Sequence, residues 1–537
     1  MLLIFLPIGF YYFYIATIVE NAPFWDDFEL IRTFLEHQKS DSLWEQFKIL
    51  ISQHNEHRIL LVRLFMLFYS WFFAEINFAR LTTIGNLFLL WALFIFLKNQ
   101  HKFTSNLWVC IPVSFLIFNI QFWESGICFS YSIQNFGSFT LALASIYCIA
   151  NNDSWKSFFL SQVLLFFSVF TMANGFIAAI VVVVLFLFTG RKQKAIVSGS
   201  ILGLMLFLYF SDYYSIHSPK EPLNPFRLVK YIFVFLGSGF TMGYPKLKVF
   251  AAIIGAMVLV FYCICLWQVK KKRIDVFLFA ALSFLIGSAV AASIGRYNFG
   301  SDQALASRYT FFSLMTISTV YLLLIQTVSS KLLKFIVPSA TFVAVTICCL
   351  SYNNLYDGVR HTSFDRLLGL EWWSISGQGL PYEHKERASS YMKQFTNAGF
   401  FRVEKSILET QAKNCELSFN KYPIKQQMEF AIDQLEGSLE YALIQGWTFP
   451  KSSKKAFKNF CIGLQANNEI FLLKNAQVRK RFDIVKHFGE KELLNSGFFL
   501  VIDKSLLQKG KEYQIILFGK LNETIFTQIL DNHSIKN

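Results

Sequence analysis

Apolar residues run in long blocks from the N-terminus to about residue 350 and then almost stop. The clearest blocks are 2–19, 81–97, 104–120, 135–150, 157–172, 175–189, 195–210, 248–267, 275–295, 309–327 and 334–350, eleven in all. A helix needs about 20 apolar residues to cross a hydrocarbon core roughly 30 Å thick, so each block predicts a membrane span. Two further runs, 59–74 and 231–245, are shorter and more broken. The block at 2–19 has no Lys or Arg ahead of it and is too long for an ordinary signal-peptide core, so it reads as a retained first span. Residues 157–190 would make about 51 Å of helix at 1.5 Å per residue, too long for one crossing and barely enough for two. Asn174-Gly175 marks the turn between them.

Charge sets the orientation. If 59–74 and 231–245 lie in the membrane plane or re-enter, then Lys98/Lys102, Lys156, Arg191/Lys192/Lys194, Lys270/Lys271/Lys272/Arg273 and Lys331/Lys334 all fall on one side. The positive-inside rule makes that side cytoplasmic. If both runs cross, there are up to thirteen spans and the first three basic loops move outside, so eleven spans with in-plane helices is preferred. Either count is odd. With the N-terminus inside, the chain after residue 351 is therefore exterior, together with 21–80, 121–134, 173–175, 211–247 and 296–308.

Beyond the last block the pattern changes period. Residues 352–434 mix aromatic and charged positions, with helical spacing around 383–412, and read as a helical connector. From 435 to 537, Leu439–Gly446, Phe460–Leu464, Glu469–Lys474, Phe498–Ile502 and Tyr513–Phe518 alternate with turn signals, the pattern of an antiparallel sandwich. The predicted fold is thus an α-helical polytopic membrane domain (1–351) with in-plane helices in its first exterior loop (21–80), the connector, and an exterior β-sandwich-like domain.

Composition agrees: 54% of the 537 residues are apolar and 16% charged, with mean hydropathy +0.41. That excludes an ordinary soluble chain, which carries about 25% charge. The net charge of +15 is explained by topology, and no nucleic-acid-binding pattern accompanies it. Seven of the nine cysteines lie in or beside apolar blocks; only Cys415 and Cys461 lie in the tail, where export would allow a disulfide between them and a cytosolic location would leave them reduced.

The unusual polar clusters fall on the exterior side. Trp25-Asp26-Asp27 follows the first span within about ten residues, at a depth where a lowered dielectric raises a carboxylate's pKa and suits it to general-base work on a hydroxyl. Either acid could instead cap a helix over Phe28–His37. In Gln53-His54-Asn55-Glu56-His57-Arg58, helical spacing would put His54, His57 and Arg58 on one face, as a partial metal site or a phosphate-facing donor cluster; the spacing is not HExxH. Arg58 and Arg63 either snorkel to headgroups or hold an anionic lipid phosphate. Trp123 and Glu124, with Tyr131 nearby, fit a sugar ring through stacking and directional hydrogen bonds, or an interfacial aromatic belt. Arg296 and Arg308, the latter followed by Tyr309, stand outside against the positive-inside trend and call for an anionic partner: a phosphate, headgroups, or Asp302.

These features together resemble the GT-C superfamily of polytopic membrane glycosyltransferases, which includes protein O-mannosyltransferases and lipid A aminoarabinose transferases. The resemblance rests on the overall plan and chiefly on Trp25-Asp26-Asp27; the second acidic motif of some relatives is not evident, with Glu124 the nearest substitute. It implies Asp26 or Asp27 as catalytic base, Arg58, Arg296 and Arg308 on the donor phosphate, and Trp25, His54, His57, Trp123, Glu124 and Tyr309 on sugar or acceptor. The implied reaction is an inverting single displacement from a polyprenyl-phosphate sugar to an exterior glycan, lipid or protein, in a bacterial cytoplasmic membrane with the tail on the periplasmic side. A divalent metal stays open as cofactor, and no residues are assigned to one. A transporter or flippase of lipid-linked glycan, and an inactive membrane scaffold, are the competing readings.

Overall fold

The computed structural model describes residues 2–104, 106–214, 224–271, 274–404, 407, 413–415, 417, 424–467 and 469–537. The chain divides into two compact units, residues 1–364 with 390–402, and 365–389 with 403–537.

The first unit is helical. Among the described residues, eight helices are long and apolar enough to cross a membrane, and four shorter apolar helices accompany them. All eleven predicted blocks fall on these twelve helices. Three of the blocks, 2–19, 157–172 and 175–189, sit on the shorter helices Leu3–Ile18, Trp155–Val169 and Gly175–Phe188. The fourth short helix carries the ambiguous run 59–74. The other ambiguous run is a 13-residue helix, Pro225–Gly237, followed by a 3₁₀ turn at Ser238–Thr241. At 1.5 Å per residue that helix is about 20 Å long, short of a crossing. It is held by close backbone approach: a Cβ at Gly237 would lie 1.9 Å from the Ala251 carbonyl oxygen, and one at Gly255 would lie 1.9 Å from that of Phe233. Only glycine lets these two helices touch in this way.

Five helices frame the first loop: α1 (Leu2–Ile18), α2 (Asp27–Lys39), α3 (Leu43–Ile51), α4 (Leu60–Phe72) and α5 (Phe78–Gln100). In α2 the apolar positions Phe28, Leu30, Ile31, Phe34 and Leu35 are buried, a helical stripe that seats one face. In α3 nothing is buried, and Leu43, Trp44 and Phe47 are exposed. Arg63, expected at headgroups or on a lipid phosphate, instead donates from Nη1 to the carbonyls of Ile49, Leu50 and Ser52 at 2.7–3.0 Å. It closes the C-terminal end of α3, where carbonyls lack helical partners. Inside the bundle, Asn86 accepts from Tyr11 Oη at 2.6 Å and donates to the carbonyls of Thr82 and Gly126.

The apolar stretch ends near residue 350, but the helix does not: Ser330–Ser376 is continuous over 47 residues, with polar and charged positions interleaved among apolar ones beyond residue 351. A further helix spans Lys385–Asn397. The predicted helical spacing does not continue past it: residues 398–404 are turn and irregular chain, and 405–406 and 408–412 lie outside the described residues.

The second unit holds two sheets. One has the order β3 (Ile424–Gln426), β11 (Thr524–Lys536), β10 (Glu512–Leu521), β6 (Asn459–Ala466), β7 (Glu469–Asn475); the other β4 (Met428–Gly437), β5 (Tyr441–Pro450), β9 (Gly497–Asp503), β8 (Gln477–Arg479). Ala442 and Ile444 of β5 and Phe498 and Leu500 of β9 share a core with Ile462 and Leu464 of β6 and Ile515 and Leu517 of β10, so the sheets pack face to face. The other face of β10, through Ile516 and Phe518, packs with Leu417 and Cys461, and Cys461 is disulfide-bonded to Cys415. The five runs read from the sequence lie on β5, β6, β7, β9 and β10. Leu439 is the exception, 97% exposed in the turn before β5.

Candidate active site

Asp26 and Asp27 are adjacent in sequence and opposite in circumstance. A tight turn, with Trp25 at φ +48° and half-exposed, brings the Asp27 N–H to the Phe24 carbonyl at 3.0 Å. The Asp27 side chain is fully buried. Its Oδ2 accepts from the Phe24 N–H and its Oδ1 from the Ser130 N–H, both at 3.0 Å, with the Cys128 thiol 3.6 Å away. Asp27 thus ties the loop after α1 to the segment 128–130.

Asp26 precedes α2 but makes no side-chain capping bond. Its carboxylate faces the segment Gln53–Arg58 instead. Oδ1 accepts from Asn55 Nδ2 at 3.3 Å, and Oδ2 lies 3.4 Å from His54 Nε2. Burial pushes the Asp26 carboxyl up, as its depth led one to expect, but His54, His57 and Arg308 more than offset it and hold it below the ordinary carboxylate value, which corrects the expectation of a raised pKa and keeps the carboxylate ionised.

The Gln53–Arg58 segment corrects the helical expectation. It is a hairpin, β1 (Gln53–His54) and β2 (His57–Arg58), with His54 directly across from His57 and a two-residue Asn55-Glu56 turn. Asn55 sits at φ +50°, which Asn tolerates and such turns require. The sequence carries only a weak signal for this hairpin, an Asn where the turn needs φ > 0, with no glycine and no alternating apolar flanks. Its effect is to send successive side chains to different partners. His54 and Asn55 go to Asp26, while Glu56 Oε2 meets Arg296 Nη2 at 2.6 Å. The His57 imidazole is pushed down to about 4 by burial, with Glu56 opposing and Arg296 and His54 adding to the shift, and its Nδ1 has no hydrogen-bond partner among the described residues.

The three arginines separate. Arg58 is 1% exposed and donates to the Tyr209 carbonyl from Nε and Nη2 at 3.0 and 2.7 Å, to the Ile51 carbonyl, and to Asp212. Four bonds to protein acceptors make it a clamp between the hairpin and the end of helix Lys192–Phe210, which corrects its assignment to a ligand phosphate. Arg296 is held by Glu56, not by Asp302, whose carboxylate pairs with Lys248 at 2.6 Å. Arg308 lies over the Tyr309 ring, 5.4 Å from its centroid, within electrostatic range of Asp26, Glu124, Tyr131 and Tyr231.

Glu124 joins this group from the segment 121–134. Its N–H donates to Ser307 Oγ at 3.1 Å, and its buried Oε2 has no hydrogen-bond partner among the described residues. Tyr309 is nearly buried against Phe235, and Trp123 packs partly into the helical core. The structure therefore brings Asp26, His54, His57, Glu124, Arg296, Arg308 and Tyr309 into one connected network and leaves Asp27 and Arg58 as its supports. Asn55 and Glu56 belong to it although sequence reasoning gave them no role, and Tyr131, read beside Trp123 and Glu124, joins it as well. Among the described residues no group of three or more His, Cys, Asp or Glu side chains is arranged to hold a metal ion. The chain matches no protein-family model and no curated sequence.

Proposed function

We propose that this chain is a membrane glycosyltransferase that moves a sugar from a polyprenyl-phosphate donor to an exterior glycan, lipid or protein acceptor. The observation that carries the reading is the division of labour in Asp26-Asp27: one carboxylate is used up by backbone N–H groups, and its neighbour is turned toward two histidines and an arginine. In the reaction Asp26 takes the proton of the acceptor hydroxyl. The acceptor oxygen forms a bond to the anomeric carbon as the bond from that carbon to the phosphate oxygen breaks, giving inversion and free polyprenyl phosphate. Negative charge then grows on the leaving phosphate, and Arg308 supplies the opposing charge, with Arg296 behind it on Glu56. Glu124 and Tyr309 line the sugar's side.

The setting supports the same reading. The exposed Leu43, Trp44 and Phe47 of α3 fit a helix lying in the interface beside a lipid-linked substrate. Eleven crossings and an exterior tail follow from the basic loops and the positive-inside rule. The Cys415–Cys461 disulfide fits a tail in an oxidising compartment. The reading is tested by glycan and lipid analysis of a deletion strain complemented with variants. Wild type and a conservative support variant restore the missing glycan, and Asp26→Asn does not; restoration by a well-expressed Asp26→Asn would overturn it.

A further inference from the structure

A cavity of about 610 Å³ lies at the end of the helix bundle away from Asp26. Helix α5 spans the distance. Its first residue, Phe78, is fixed to the Asp26 loop through Asn21 Oδ1 at 2.8 Å, and its last, Gln100, lines the cavity. A 23-residue helix puts those ends about 33 Å apart. This is a separate site.

Its lining is polar in an unusual way. Gln100 is 3% exposed, and its Oε1, like both amide atoms of Gln326, is buried without a hydrogen-bond partner among the described residues. An unpaired buried polar group costs about 1–3 kcal/mol, so three at one cavity call for a polar occupant. Lys334 lines the same space, and Lys98, Lys102 and Lys331 belong to the same end of the bundle. Asp275, an acid at this end, is engaged by Asn99 Nδ2 at 3.1 Å and the Leu278 N–H at 2.8 Å. The occupant is therefore anionic as well as polar. Trp108, half-exposed, and Val337 give the cavity an apolar wall, so the occupant is also amphipathic. The volume lies within the roughly 300–1,000 Å³ of small-molecule sites.

We infer that this cavity binds the headgroup of an anionic phospholipid, with Lys334 facing the phosphate, Gln326 Nε2 donating to an ester oxygen, the Oε1 atoms of Gln100 and Gln326 accepting from headgroup hydroxyls such as those of phosphatidylglycerol, and the acyl chains along Trp108 and Val337. The side is the basic one, where anionic lipid is attracted. The full-length chain, purified in detergent, is examined by native mass spectrometry and thermal unfolding with added phosphatidylglycerol, phosphatidylcholine or soluble glycerol 3-phosphate. Phosphatidylglycerol alone is expected to be retained and to raise the unfolding temperature. Lys334→Gln, at an exposed position that keeps the fold, should weaken its apparent affinity about fivefold, the worth of one lysine at an anionic surface. Gln326→Leu should weaken it by a similar factor. Equal responses to the two lipids, an equal response to glycerol 3-phosphate, or unchanged affinity in both variants would overturn the inference. None of these readouts depends on sugar transfer.

Discussion

Changing Asp26 and Asp27 separately should split stability from activity. Asp27 accepts two backbone N–H bonds at 3.0 Å in a fully buried position. Hydrogen bonds to a charged acceptor contribute about 1.5–3 kcal/mol each, so Asp27→Ala, which strands both donors, should cost about 3–6 kcal/mol. Asp26 accepts one longer bond from Asn55 at 3.3 Å and has a 3.4 Å contact to His54, with its side chain 20% exposed. Asp26→Asn keeps the shape and an acceptor oxygen, so its cost should stay within about 1 kcal/mol, while loss of a general base removes about 10²–10⁴-fold in rate. The assay pairs thermal unfolding of the detergent-purified chain with sugar transfer in membranes. An apparent unfolding temperature several degrees lower for Asp27→Ala is expected, with wild-type unfolding but loss of transfer for Asp26→Asn. Equal destabilisation by the two changes, or an Asp27→Ala protein as stable as wild type, would refute the assignment of support and base.

Other outcomes follow from the same geometry. The folded His57 pKa of about 4 lies below the unfolded value near 6.5, so the unfolded chain binds the proton first and stability falls as pH drops from about 6.5 to about 4, by roughly 3 kcal/mol in all. His57→Asn should flatten that slope in unfolding measured across the range. The Asp26 carboxyl is shifted in the same direction, held below its ordinary value: its ionised form is present at neutral pH, and its contribution to stability and to transfer should be lost only as pH falls through the carboxylate range. Glu56→Gln and Arg296→Gln should be non-additive by about 1 kcal/mol in a double-mutant cycle, since the 2.6 Å pair is mostly shielded from water. The Cys415–Cys461 bond closes a loop of 46 residues, for which chain entropy gives about 4 kcal/mol. Reduction should lower the unfolding temperature of the β unit, and only after reduction should an impermeant thiol reagent label both cysteines from outside intact cells.

The blocks of hydrophobicity were legible because a membrane-length apolar helix has no competing interpretation at 20 residues. The strands β5, β6, β7, β9 and β10 were legible from alternation, but β4 was not: Met428–Gly437 interleaves Glu429, Asp433, Gln434 and Glu436 with its apolar positions, and most of its residues are only half-buried. In the site, the sequence marked the Asp26-Asp27 pair and the arginines Arg296 and Arg308. It could not divide the pair, because that division depends on Ser130, more than 100 positions away, reaching one carboxylate and not the other. It put His54, His57 and Arg58 on one helical face because helical and hairpin spacings both place polar residues together, and only the Asn55-Glu56 turn distinguishes them. Arg58 looked available because its acceptors, Tyr209 and Asp212, lie some 150 residues further on.

The proposed reaction turns on Asp26 activating a hydroxyl for attack on a polyprenyl-phosphate sugar. The most direct measurement is release of polyprenyl phosphate from a panel of lipid-linked sugar donors by the purified chain in liposomes supplied with envelope acceptors. Acceptor-dependent release by the wild type, slowed at least about 100-fold in stable Asp26→Asn protein, is the expected result. Release at the wild-type rate by Asp26→Asn, or no release from any donor by folded wild-type protein, would contradict it.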